Sequence, residues 1–401
     1  MSLKVIFVNR YFHPDHSATS QLLSDLSFDL VRQGFSVEVV TSRQLYGDSA
    51  YVLKSNECIN DVTVRRVWTT GFGRQHLAGR AMDYLTFYIS AAWCLLRIVR
   101  PEDTVVVKTD PPLISVIAAL VVRLRGARLI NWLQDIFPEV ASRLGVRQIM
   151  IIERALVMLR NYSLRAAHKN VVLGDRMAGM ILHQGILPES VVVIPNWADG
   201  ERIMPVQLED NSLRVDWGIQ KKFVVGYSGN MGRAHEFETL ISAAAVLKSY
   251  NDIVFVFIGG GAQRQYIEQR TRDLELTNIR FQQYQPRERL SDSLGAMDIH
   301  IISLLPAMEG LIVPSKFYGI AAAGRPTIYI GDCDGEIPGI IKAVDCGVCI
   351  EIGDSSGLAE AILDLSSQRE RVSLMGRSAR KIFEERFSKE KALDAWVKVL
   401  S

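Results

Sequence analysis

The stretch GYSGNMGR (226–233) sets three glycines and an arginine directly behind an apolar run. Glycine lets backbone approach an anion closely, and a helix following such a turn offers unpaired N–H groups. Arginine adds a planar, bidentate grip on phosphate oxygens. Gly229, Asn230, Gly232 and Arg233 are therefore candidate phosphate-binding residues. A second stretch, EGLIVPSKFYGIAAAGRP (309–326), puts Lys316 at the start of a helix built from very small residues, with Ser315 as its N-cap. A lysine there is unfavourable by about 0.3–1 kcal/mol, because both groups are positive. An anion between them reverses the sign. Ala321, Ala322, Ala323 and Gly324 let the helix lie close to a sheet, so Lys316 is expected to face a phosphate; the alternative is a solvated lysine at a tolerated position. Arg233 and Lys316 together predict a diphosphate site, for the leaving group of a nucleotide donor. No metal is expected, and charge neutralisation falls to side chains and helix ends.

A third turn, IGGGAQRQ (258–265), resembles a dinucleotide fingerprint, but position 264 is arginine where the last glycine belongs. An NAD site is set aside and no cofactor is expected; Gly260 is kept as a donor-binding candidate. CGVC (346–349) has metal-like spacing without a second ligand pair, and is expected to be two small buried thiols. His-Glu-x-x-His does not occur. Basic residues are not interleaved with aromatics along one face, which excludes nucleic acid as a partner.

These turns need strands to carry them. LKVIFVNRYF (3–12) is a buried-strand run, followed by the polar loop HPDHSATS (13–20) and a helical pattern through Leu22, Leu23, Leu26 and Leu30. The rhythm continues through VEVVTS (37–42), TVVVKTD (104–110), a helix over 112–125, ARLINWLQD (127–135), a helix over 147–167, KNVVLGD (169–175) and VVVIPNWAD (191–199). After a polar linker it restarts at FVVGYSGN (223–230). DIVFVFIGGG (252–261), NIRFQQY (278–284), DIHIISLL (298–305), PTIYIGD (326–332) and GVCIEIGD (347–354) complete the second half. Runs apolar on both faces predict parallel sheets covered by helices. The final SKEKALDAWVKVL (388–400) is a helix capped by Ser388. With 401 residues, two domains are expected, each with ligands at the carboxyl ends of its strands.

Hydrophobic residues make up 48% and charged residues 22%, a globular composition, and five cysteines are too few for a disulfide scaffold; cytoplasm is the natural compartment. MSLKVIFVNRYF lacks the apolar core of a secretory signal. YLTFYISAAWCLL (84–96), flanked by Arg80 and Arg97, is too short to span a membrane. It is either a buried helix or one dipping into a membrane surface. Residues 1–200 hold 22 basic against 17 acidic side chains, the remainder 24 against 27, so the first half suits anionic headgroups or an anionic acceptor.

These residues resemble the retaining glycosyltransferases of family 4, GT-B fold, in the branch that builds bacterial surface polysaccharides and includes amino-sugar transferases. The resemblance runs over nearly the whole chain and is most specific over 309–332. It implies two Rossmann-like, doubly wound parallel-sheet domains facing across a cleft: an acceptor domain (1–203), a nucleotide-sugar domain (204–385) and a helix (386–401) returning to the first. A UDP-sugar donor is favoured, with a lipid-linked or saccharide acceptor and peripheral contact with the inner membrane face. Transfer would be metal-independent by front-face attack, a phosphate oxygen taking the acceptor proton while Arg233 and Lys316 stabilise the diphosphate. Glu309, with the backbone of Gly310 and Leu311, would contact the donor sugar, and Ser315 would lie on the donor side. Asp135 matches a polar position near the reacting carbon, to orient a hydroxyl or act as base; otherwise it caps a helix before Pro138. His13, His16 and Ser17 would line the acceptor side, Asn196 would brace the hinge near donor groups, and Tyr284 would border the base. The family's second glutamate is missing: its position, five before Gly324, is Gly319, and eight after Glu309 is Phe317. A sugar-nucleotide epimerase, a phosphorylase and a non-catalytic partner-binding subunit share the architecture and stay open.

Overall fold

The computed structural model describes residues 3–46, 51–73, 76–145 and 150–401. It divides into two units, Met1–Pro195 with Leu393–Ser401, and Asn196–Ala392. These bounds fall before the expected 203/204 boundary and after 385/386; the second shift arises because Phe387 packs on Phe317 and Tyr318 of the second unit.

The first unit runs β1 (Lys4–Val8), α1 (Ala18–Arg32), β2 (Ser36–Ser42), β3 (Asn56–Ile59), β4 (Val62–Val67), α2 (Leu77–Ile98), β5 (Thr104–Lys108), α3 (Ile114–Arg125), β6 (Arg128–Trp132), α4 (Glu139–Arg143), α5 (Met150–Ala166), β7 (Lys169–Val172), α6 (Asp175–Leu182) and β8 (Val191–Val193). Positions 147–149 of the predicted fifth helix lie outside the described residues. The sheet order is β3-β4-β2-β1-β5-β6-β7-β8, parallel except for the β3–β4 hairpin. That hairpin turns at Asn60 and Asp61, both in the left-handed region. The residue pair carries a primed turn without glycine, so the usual sequence signal is weak. Successive β1 residues are buried on both faces: Ile6 and Val8 join a cluster with Phe87, Ala91 and Leu95 of α2 and Ala118 of α3.

The second unit runs α7 (Ser212–Asp216), β9 (Phe223–Ser228), α8 (Glu238–Val246), β10 (Ile253–Ile258), α9 (Arg264–Asp273), β11 (Ile279–Gln282), α10 (Leu290–Gly295), β12 (Ile299–Ser303), α11 (Lys316–Ala322), β13 (Thr327–Ile330), α12 (Glu336–Val344), β14 (Gly347–Ile350), α13 (Ser355–Ser367) and α14 (Arg369–Ile382). Its sheet is wholly parallel, in the order β11-β10-β9-β12-β13-β14. Period two splits it into opposite cores: Val225, Tyr227, Phe255 and Phe257 face one side, Val224, Val254 and Val256 the other. Cys349 is disulfide-bonded to Cys333, which corrects the expectation of two unpaired thiols in CGVC; Cys346 alone is a buried free thiol.

The last helix, α15 (Lys389–Leu400), starts at Ser388, whose hydroxyl accepts from the Lys391 amide at 3.4 Å. Its Trp396 is fully buried, edge-on to Trp132 at the end of β6 with ring centroids 4.7 Å apart. Deleting so large a buried ring leaves a cavity costing about 3–5 kcal/mol. Trp396→Ala is therefore expected to lower the unfolding midpoint in urea by that equivalent; a loss under about 1 kcal/mol would contradict this anchoring.

Candidate active site

In each sheet two neighbouring strands send their chains in opposite directions, β1 and β5 in the first, β9 and β12 in the second. Ligands of doubly wound sheets bind beyond the carboxyl ends at such points. The GYSGNMGR turn leaves β9 at the second of them. It is braced by the IGGG turn after β10: the Gly229 amide donates to the Ile258 carbonyl (2.9 Å), Met231 to Gly260 (2.7 Å), and Gln263 Nε2 to Gly232 and His235 carbonyls (2.7 Å each). The Tyr227 hydroxyl adds a bond to the Asn230 carbonyl (3.1 Å). The apposition is so close that a Cβ on Gly259 would lie 2.4 Å from the Gly229 carbonyl oxygen. The third turn thus buttresses the first, and the Gly260 carbonyl is committed to that task.

Lys316 is the first residue of α11. Its Cε would lie 3.0 Å from a Cβ on Gly229, so the glycine makes room for the lysine. Its Nζ stands 5.1 Å from the Tyr227 ring centroid and 3.1 Å from His235 Nε2. His235 Nδ1 faces the Ser303 carbonyl at the end of β12 and must donate to it, which leaves Nε2 to accept from Lys316. Burial, then the Lys316 charge, pushes the imidazole down to about 3, with the Ser303 bond opposing, so it is neutral. Burial lowers the Lys316 ammonium to about 8, still a cation at neutral pH. Arg233 stands exposed on the same turn, two residues before His235. Arg233 thus sits on the β9 turn, and Lys316 reaches that turn from α11. Sequence gave no sign of His235 as the lysine's partner, since nothing local links positions 235 and 316.

The other donor-side candidates gather less uniformly. Glu309 is held by the Tyr329 hydroxyl on Oε1 (2.6 Å) and the Glu336 amide on Oε2 (3.3 Å), a fit that leaves no room for a side chain at Gly335. Gly310 takes a left-handed φ of 74°, and the Leu311 amide donates to the Met308 carbonyl (3.0 Å). Ser315 occupies the N-cap position of α11, but its side chain makes no capping bond. Exposed Tyr284 lies with its ring edge against Gly259 and Gly260. Asn196 is buried at the first residue of the second unit. Phe317 is fully buried against Tyr318 and Phe387, and Gly319 faces Leu294 and Ile203, so neither missing-glutamate position is polar.

In the first unit, Asp135 follows β6 and borders a small cavity with Thr109, Lys108 and Arg160. Burial raises its carboxyl to about 6, offset by a hydrogen bond from Thr109 and reinforced by Asp110. One oxygen, Oδ1, is buried without a hydrogen-bond partner among the described residues, which suits a group awaiting a hydroxyl. Lys108, also buried, donates to the Thr19 carbonyl (3.0 Å) and stands 3.7 Å from the Trp132 ring centroid, tying the end of β5 to the start of α1. There His13 and His16 are exposed, His13 edge-on to Phe28. The Ser17 amide donates to Asp15 (2.8 Å), and its buried hydroxyl has no hydrogen-bond partner among the described residues.

Residues 209–382 match the family described as glycosyl transferases group 1, and residues 21–197 match the glycosyl transferase 4-like domain. The chain is 28% identical over 301 residues to the probable glycosyltransferase WbjE of Pseudomonas aeruginosa, covering 74% of this chain and 73% of that one. It is 22% identical over 365 residues to the putative colanic acid biosynthesis glycosyl transferase WcaI of Escherichia coli (strain K12), covering 87% and 88%. The solved structure of Anabaena Alr3699/HepE in complex with UDP and glucose superposes with a TM-score of 0.74 over 99% of each chain at 16% identity. The two units thus have the GT-B fold.

Gly261 has φ +139°, and a Cβ there would lie 2.5 Å from Asn230 Oδ1 and 2.7 Å from the Met231 amide. Gly261→Ala is expected to lose about 1–3 kcal/mol of stability through backbone strain and to pry the two turns apart. Its UDP affinity, measured by calorimetry, should fall at least tenfold; native affinity would show that the brace is dispensable.

Proposed function

The chain belongs to the group 1 glycosyl transferases, and from that premise we propose that it moves a hexosyl or N-acetylaminosugar unit from UDP to a lipid-linked or saccharide acceptor, with retention, in surface polysaccharide synthesis. The observation carrying this reading is the Lys316 ammonium seated over the glycine turn at the switch point of the second sheet. A diphosphate there would accept from Lys316 and Arg233 while the bond from C1 to the phosphate oxygen breaks. The acceptor oxygen bonds to C1 on the same face, and its proton passes to the departing diphosphate. No protein nucleophile and no metal take part. The UDP and glucose bound by the Anabaena neighbour support a UDP-sugar donor, and the colanic acid assignment of the Escherichia coli relative supports a polysaccharide product.

Tyr284 offers a face for the uracil ring beside Gly259, and Glu309 holds the loop next to the sugar. Asp135, kept partly protonated near neutrality, orients the acceptor hydroxyl, with His13, His16 and Ser17 lining its approach; Asn196 braces the start of the donor unit. The enzyme works in the cytoplasm, peripherally on the inner membrane face.

Removing a donor aimed at developing charge typically costs about 100–1,000-fold in rate. Lys316→Ala and Arg233→Ala are expected to fold and to lose transfer on that scale; normal turnover in both contradicts the diphosphate site. Donor conversion without acceptor would identify an epimerase, consumption of phosphate a phosphorylase, and absent nucleotide binding a partner-binding subunit. Thermal-shift comparison of UDP, GDP, ADP and dTDP should single out UDP.

The pH dependence has a definite sign. Lys316 is charged below about 8 and neutral above it, so UDP affinity should be flat below pH 7 and fall as pH rises through 8, by up to roughly tenfold per unit. In Lys316→Met that fall should vanish; an unchanged slope would assign it to another group.

A further inference from the structure

Among the described residues, the large exposed side chains of α2, α3 and α5 are of two kinds, apolar and arginine. On α2, Met82, Leu85, Ile89 and Trp93 recur at helical spacing and are about half exposed or more, with Trp93 at 58%. Leu120 and Leu124 continue the apolar surface on α3, and Ile151, Ile152, Met158 and Leu159 on α5. The three helices cover one side of the first sheet, since Phe87, Ala91 and Leu95 of α2 share a core with Ala118, Val121 and Val122 of α3 and with Tyr162 of α5. The exposed charged residues described on these helices are Arg80, Arg97, Arg123, Arg125, Arg154 and Arg165. Their two acids are withdrawn: Asp83 is buried against Arg10 and the amides of Phe72 and Gly73, and half-buried Glu153 accepts from the Ser142 hydroxyl. Arg97 lies over the Trp93 ring, 4.4 Å from its centroid. Glu102, in the loop after α2, is the next exposed acid along the chain.

Ten large apolar side chains left exposed on three neighbouring helices mark an interaction surface, and a face without exposed acids suits an anionic partner. We propose that this three-helix face docks on an anionic lipid bilayer, its aliphatic and indole groups entering the headgroup region while the arginines pair with lipid phosphates. The mixture of tryptophan, aliphatic and basic side chains is that of an interfacial surface. Among the described residues no helix is long and apolar enough to cross a membrane, so contact is lateral. This deepens the peripheral location proposed above but rests on surface residues outside the donor site.

The full chain would be sedimented with vesicles of neutral phosphatidylcholine or of phosphatidylcholine with about a third phosphatidylglycerol. Binding to the anionic vesicles is expected, weakening with salt. Two variants probe the face: Leu85→Ser, Ile89→Ser and Trp93→Ser combined, and Arg97→Glu, Arg123→Glu and Arg125→Glu combined. Each should lose at least about tenfold in vesicle affinity. The UDP thermal shift, unchanged in both, separates this outcome from failure of the donor site. The proposal is overturned if the native chain stays in solution with anionic vesicles, or if variants bind as well as the native chain. A dimer in sedimentation velocity that dissociates in the variants, without vesicle binding, would equally overturn it, assigning the face to a second copy.

Discussion

A half-buried ammonium against a neutral imidazole is an expensive arrangement, and the second unit is organised around it. Lys316 meets His235 and the Tyr227 ring, neither of which carries a negative charge. A cation withdrawn from water without a counter-ion lowers its own affinity for the proton, and here it stops at about 8. The diphosphate proposed to bind there would supply the missing counter-charge. The same contact keeps His235 uncharged, so it orients the amine without repelling it beyond what burial already imposes.

The glycines follow from this constraint. Lys316 can lie across the β9 turn only because Gly229 has no side chain, and that turn keeps its shape because the β10 turn is bonded to it backbone to backbone. The β9 turn sits where the strand order reverses, between β9 and β12, and the β10 turn stands beside it. Small residues on α11 then fit under the sheet: Ala321, Ala322 and Ala323 are all fully buried. What looks in the sequence like two phosphate loops and a misplaced lysine is a single braced seat.

Much of this architecture was legible because buried parallel strands are continuous apolar runs. β1, β5, β9, β10 and β12 all announced themselves in this way, and helix ends at glycine gave the rhythm. The β3–β4 hairpin did not, since its Asn60–Asp61 turn lacks glycine and its strands are half exposed. In the candidate site, local context singled out Arg233 and Lys316 as candidates, whereas their surroundings were not visible. His235, Tyr329 and Gly335 act through contacts between residues 20 to 81 positions apart, and no single-chain pattern encodes such partners. Glu309 shows the consequence: its bonds to the Tyr329 hydroxyl and the Glu336 amide could not be read from the residues around it. The Cys333–Cys349 bond was missed for a similar reason, the nearer Cys346 having drawn attention to the wrong pair.

The proposed diphosphate seat is tested most directly by a crystal structure with UDP bound. The account predicts a β-phosphate oxygen within about 3 Å of Lys316 Nζ and a second within reach of Arg233, over the Gly229–Gly232 backbone. Electron density for UDP elsewhere, with Lys316 still donating to His235 alone, would contradict it.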